Sequence, residues 1–170
     1  MIQKKICMVG VFATGKTSLV KKLVYSIFSA KYHSTVGVKV DRKQVEVGDT
    51  TVNLLLWDLE GRSSTQDVPA SYLTGAHGVL LVVDGTRKDT FDQVFDLHAL
   101  VVGASGPIPS VVALNKVDLT DEWQLGKRED KVLAEHRLHS VRTSAKTGEG
   151  VEDAFKWLAK SALEAGTARK

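Results

Sequence analysis

Between the apolar run Ile6-Cys7-Met8-Val9 and the amphipathic stretch that begins Ser18-Leu19-Val20 lies Gly10-Val11-Phe12-Ala13-Thr14-Gly15-Lys16-Thr17. The pattern is G-x-x-x-x-G-K-T, set between an expected strand and an expected helix, and that context makes it more than a string match. Glycines at both ends let the backbone wrap closely and turn its N–H groups inward. With the N-terminus of the helix that carries Ser18 in its first turn, those amides form a concave site for phosphate. Lys16 is then placed to reach β- and γ-phosphates, and the Thr17 hydroxyl to ligate Mg²⁺. The turn predicts binding of a nucleoside triphosphate.

The chain has 170 residues, 43% of them hydrophobic and 25% charged, enough for one globular domain over 1–170 with a real core. Its formal net charge of +3 is mild, and the basic residues fall in pairs such as Lys21-Lys22 and Lys127-Arg128 rather than a stripe, so no nucleic-acid partner is expected. Cys7 is the one cysteine, which excludes an internal disulfide and fits a reducing, cytoplasmic setting. Met1 to Lys5 lead straight into the first strand with no room for a signal peptide, and no apolar run approaches a membrane span. Ile2 excludes myristoylation and Thr167-Ala168-Arg169-Lys170 is not a prenylation box, so no lipid anchor is expected in this chain. A monomer is expected.

Strand-like runs at about 3–9, 38–46, 51–58, 78–84, 110–115 and 138–143 alternate with helical patterns. That order predicts an α/β fold with a six-stranded, mostly parallel sheet covered on both faces by helices. Only a hairpin fits the link Val47-Gly48-Asp49-Thr50, so one edge strand should be antiparallel. A helix over 16–27 should bury Leu19, Leu23 and Ile27; one over about 89–102 should align Phe91, Val94, His98 and Val101. A last helix over 150–164 should bury Val151, Phe155, Leu158 and Ala162 and leave Trp157 exposed.

Four further segments carry chemistry. The polar stretch 28–38 lacks periodicity, and a loop of that length in a compact domain is usually functional. Its Thr35 can offer Mg²⁺ a second hydroxyl and a γ-phosphate its amide. The apolar strand Leu54-Leu55-Leu56-Trp57 ends in Asp58, where sheets of this kind place ligands, so Asp58 can hold Mg²⁺ through water. Three residues on, Gly61 can bring its N–H to the γ-phosphate. Lastly, Asn115-Lys116-Val117-Asp118 follows the fifth strand and Ser144-Ala145-Lys146 the sixth. The Asp118 carboxylate can accept from both N1–H and the exocyclic amine of guanine, Asn115 can bond the base edge and hold the loops, and the Ala145 amide can donate to O6. The stems of Lys116 and Lys146 can pack over the ring, with Phe28 at its edge. Adenine would leave the carboxylate unpaired, a mismatch of roughly several kcal/mol. The set predicts guanine.

These segments, in this order and at these intervals, resemble the nucleotide site of the Ras superfamily of small GTPases over about residues 4–164. Within it the chain is most similar to Rab proteins, through 32–38, 70–78 and 143–152. The resemblance implies the P-loop NTPase fold of six strands and five helices, a GTP/GDP switch needing Mg²⁺, and a nucleotide contact from Tyr32. It also implies effector, exchange-factor and GTPase-activating partners at 29–38 and 59–74, with Trp57 and Tyr72 read by effectors.

Two departures qualify it. The family's D-T-A-G-Q stands here as Asp58-Leu59-Glu60-Gly61-Arg62, so the catalytic set becomes Lys16, Thr35, Gly61 and Arg62. A guanidinium has donors only and cannot orient the attacking water as glutamine does, which predicts slow hydrolysis. Phe12 and Ala13 occupy positions often small or glycine in the family, beside where an activating protein's arginine would enter, a contribution of roughly a thousand-fold or more in rate. The opposite reading makes Arg62 a built-in finger that assists. The absent lipid signal is the second departure; an atypical, for example bacterial, Rab-like protein or an excised GTPase domain fits both. A GTP-binding scaffold with negligible hydrolysis and a P-loop kinase or ATPase are the competing readings.

Overall fold

The computed structural model describes residues 1–29, 37–59 and 68–168. Six strands form one sheet: β1 (Ile2–Val9), β2 (Val38–Val47), β3 (Thr50–Leu59), β4 (Gly78–Asp84), β5 (Ser110–Asn115) and β6 (His139–Arg142), in the order β2-β3-β1-β4-β5-β6. Every pairing is parallel except β2 with β3, a hairpin closed by Gly48-Asp49, with Val38 opposite Leu59 and Val47 opposite Thr50. This is the P-loop α/β fold that the strand pattern and the resemblance predict.

The helices are α1 (Lys16–Tyr25), α2 (Ala70–Leu73), α3 (Lys88–Asp92), α4 (Val94–Ser105), α5 (Lys127–Glu135) and α6 (Val151–Ala168). Side chains alternate across a strand, so a strand covered on both faces must be apolar throughout. All seven residues of β4 are buried for that reason. Ile6, Met8, Leu54, Leu56, Leu80 and Val82 face α1 and α6, meeting Leu19, Phe155 and Leu158. Cys7, Val9, Val79, Leu81 and Val83 face the other way, against Phe91, Val94, Leu97 and Val101.

Three expectations need correction. The pattern over 89–102 is not one helix but α3 and α4, which abut at Gln93. Ile27 is 54% exposed rather than buried, because Ser26 turns into the left-handed region (φ 56) and gives its N–H to the Lys22 carbonyl, ending α1 at Tyr25. Trp157 is half-buried and packs against the core, its ring stacked on His139 at 4.6 Å and 10°. His98 is half-buried; that burial, with His136 beside it, holds its pKa below the usual value.

Cys7 is fully buried, and desolvation pushes its thiol up to about 11, against the smaller downward pull of Lys5. Since the folded state keeps the proton that the unfolded chain begins to lose near pH 9.0, this group's contribution to stability declines as pH rises above that value. The thiolate is the reactive form, so iodoacetamide at pH 8 is expected to leave native protein unlabelled and to alkylate Cys7 once the protein is unfolded. Rapid labelling of native protein, followed by intact mass, would contradict this burial.

Among the described residues no helix is long and apolar enough to cross a membrane.

Candidate functional site

The sheet order puts β3 and β4 on opposite sides of β1, so the chain leaves the carboxyl end of β1 at the point where successive connections diverge. Parallel α/β sheets open a crevice at such a switch point. The loop 10–15 occupies it and leads into α1. A Cβ on Gly10 would stand 2.7 Å from the Val82 carbonyl oxygen of β4. Gly15 has φ 101, and a Cβ there would stand 2.3 Å from Asn115 Nδ2. The two glycines of the motif are thus fixed by close approach at one end and by backbone conformation at the other.

Lys16 is buried and curls back over the loop, its Nζ donating to the carbonyls of Gly10 and Val11 at 3.0 Å each. Burial pushes its pKa down to about 8; Asp58 opposes the shift and Arg87 adds to it. Thr17, one residue on in α1, donates from Oγ1 to Asp58 Oδ2 at the end of β3, 2.6 Å away. A hydroxyl and a carboxylate converging beside an amide-lined loop make a hard oxygen donor set that suits Mg²⁺, which typically takes one or two carboxylates and completes its shell from water and phosphate. Among the described residues there is no cluster of three or more His, Cys, Asp or Glu that would hold a metal by itself. The Thr17 hydroxyl with the Asp58 carboxylate is a donor pair that fits an ion shared with a phosphate.

On the far side of the loop, Asn115 is buried and joins two segments. Its Nδ2 donates to the Thr14 carbonyl at 3.0 Å, and its Oδ1 accepts from Thr143 Oγ1 at 3.1 Å. Lys116 donates to the Ala13 carbonyl at 3.2 Å and to Asp84 Oδ2 at 2.7 Å. Asp118, half-buried, accepts from Ser144 Oγ at 2.7 Å, so its carboxylate is held beside the loop that carries buried Ala145. That loop is a closed turn: Ser144 N–H donates to the Glu149 carbonyl and Gly148 N–H to the Ser144 carbonyl. Ser18 is half-buried in the first turn of α1, while Phe12, Phe28 and Lys146 are exposed. Tyr32, Thr35, Gly61 and Arg62 lie outside the described residues.

The sequence reading missed a hub behind this site. Asp84 ends β4 much as Asp58 stands next to last in β3, a carboxylate closing an apolar run, and that signal was available. Its buried carboxylate accepts from Lys116, from Thr86 and from Arg87. Burial pushes its pKa up, but those hydrogen bonds prevail and hold it below the usual value.

Comparison with known proteins agrees with this geometry. A protein-family model described as the Ras family matches residues 5–164. The chain is 34% identical over 160 residues to the Ras-related protein Rab-1 of Theileria annulata, covering 92% of this chain and 73% of that protein. It is 35% identical over 164 residues to Rab-4B of Homo sapiens, covering 94% and 76%, and 28% identical over 161 residues to human Rab-8B, covering 94% and 78%. The chain therefore belongs to the Ras family and is a Rab-like small GTPase.

Proposed function

We propose that residues 1–170 act as one monomeric G domain in the cytoplasm, binding GTP and GDP with Mg²⁺ and hydrolysing GTP slowly. The observation that supports this most is the double tie made by Asn115, which links the phosphate loop at Thr14 to the base-side turn at Thr143. It sets a fixed separation between a phosphate cradle and a purine edge.

In this reading the amides of 10–18 and the Lys16 ammonium bind the phosphates, and Lys16 exchanges its carbonyl partners for phosphate oxygens. Thr17 holds Mg²⁺ directly and Asp58 holds it through water; Thr35 supplies a further hydroxyl. When bound there, Mg²⁺ would supply positive charge to offset that of the phosphates. Asp118, oriented by Ser144, accepts from guanine N1–H and its amine, and Ala145 donates to O6. The stems of Lys116 and Lys146 and the ring of Phe28 border the base, and Tyr32 contributes a nucleotide contact. Gly61 meets the γ-phosphate. Effectors, exchange factors and activating proteins engage 29–38 and 59–74, and effectors also read Trp57 and Tyr72.

Slow hydrolysis rests on Arg62 and Phe12. Arg62 has no acceptor for the attacking water. Phe12, 48% exposed on the phosphate loop, obstructs an arginine brought by a partner and prolongs the GTP state. In single-turnover hydrolysis, Arg62→Gln is expected to accelerate cleavage by about tenfold, a modest share of what a positioned general base contributes. An unchanged rate would contradict the hindrance, and a loss of rate in Arg62→Ala would make Arg62 an assisting cation instead.

A further inference from the structure

Three successive carbonyls of the phosphate loop are each held by a side-chain nitrogen. Phe12 is held by Arg87 Nη2 at 2.8 Å, Ala13 by Lys116 Nζ at 3.2 Å and Thr14 by Asn115 Nδ2 at 3.0 Å. In a planar trans peptide the carbonyl and the following N–H point in opposite directions. Pinning these carbonyls away from the cradle therefore aims the N–H groups of Ala13, Thr14 and Gly15 into it, the arrangement that makes a backbone nest for anions.

Lys116 and Asn115 belong to the base-side motif, but Arg87 does not. It follows the end of β4 and spans from the buried carboxylate of Asp84, where its Nε donates to Oδ2 at 3.0 Å, to the Phe12 carbonyl. The same Asp84 oxygen receives Lys116. One buried carboxylate thus anchors the two cations that hold the carbonyls on either side of the Ala13 Cα. That bracing matters because Ala13 has φ 60, a left-handed conformation seldom adopted by residues with a Cβ. A planar guanidinium suits the task, since its fork can serve a carboxylate and a carbonyl together.

We propose that Arg87 is a positioning residue of the phosphate site: by drawing the Phe12 carbonyl outward it aims the Ala13 N–H at the phosphates of a guanosine di- or triphosphate and, with Lys116, keeps Ala13 left-handed. The proposal rests on the nucleotide-binding reading above. The same device explains how the loop accommodates alanine at 13, where the backbone favours glycine.

The test is a cycle of Arg87→Gln and Ala13→Gly, read by the release rate of fluorescent GDP in Mg²⁺. With Ala13 present, Arg87→Gln is expected to speed release about tenfold, roughly what one charge-assisted hydrogen bond confers. In the Ala13→Gly background the loop no longer needs the brace, and the same change is expected to speed release less than about threefold. Arg87→Lys keeps a cation on Asp84 while shortening its reach; it should fold as wild type and still release GDP faster, which covers the case in which Arg87→Gln does not fold. An equal acceleration in both backgrounds, or wild-type release from Arg87→Gln and Arg87→Lys, would overturn the proposal. Failure of wild type to retain GDP would instead refute the underlying reading.

Discussion

Asp118→Asn is expected to reverse the base preference of the site, weakening GTP binding by about 100-fold or more while strengthening binding of xanthosine triphosphate by a similar factor. In the proposed site the carboxylate would accept from two donors on guanine, and each charge-assisted hydrogen bond is worth about 1.5–3 kcal/mol. An amide in its place keeps one acceptor and presents a donor where the guanine amine also donates, so a lost attraction becomes a clash of like partners. Xanthine carries a carbonyl at that position and accepts from the amide. Ser144 holds Asp118 at 2.7 Å through a hydroxyl that can donate equally well to an amide oxygen, so the variant side chain should keep its place. Equilibrium competition between the two triphosphates measures the change; an unaltered preference would remove Asp118 from base recognition.

Gly15→Ala is expected to abolish tight nucleotide binding, raising Kd by about 100-fold or more, and to destabilise the fold by roughly 2–4 kcal/mol. Two costs combine. A residue with a Cβ at φ 101 is strained wherever it sits, and this Cβ would lie 2.3 Å from Asn115 Nδ2. Asn115 has no inexpensive retreat, because its amide is engaged with Thr14 and Thr143 at once. Displacing it breaks the tie between the phosphate and base sides, so both affinity and stability fall. Gly103→Ala is the contrasting variant: that glycine lies in α4 with nothing within 4 Å of an added methyl, and alanine there should stabilise the helix by about 0.5–1 kcal/mol. Thermal melts and GDP titrations of both variants distinguish local clash from a general intolerance of added methyl groups.

The sheet was legible because its determinants are local and repeated. Strands covered on two faces read as unbroken apolar runs, and a two-residue Gly-Asp link admits one geometry, so strand positions and the antiparallel edge follow from short stretches. The glycines, Lys16 and Thr17 of the phosphate loop were legible because the motif is contiguous. Arg87 was not: its value lies in a carbonyl 75 positions earlier in the chain, and nothing in Thr86-Arg87-Lys88 reports that neighbour. The errors at Ile27 and over 89–102 have a common cause. Apolar periodicity continued past left-handed Ser26, where the backbone turned, and across Gln93, where α3 ends and α4 begins although Gln93 itself keeps right-handed helical angles. Trp157 fell off the helical stripe, yet β6 supplied His139 as a partner that helix periodicity alone does not reveal.

The central claim is that one fixed cradle grips phosphates while a carboxylate beside it selects guanine. The most direct measurement is displacement of fluorescent GTP from wild-type protein in Mg²⁺ by unlabelled GTP, GDP and ATP. Displacement by GTP and GDP, with ATP ineffective at about a hundredfold higher concentration, is the result this account predicts. Displacement by ATP at concentrations comparable to GTP would contradict it.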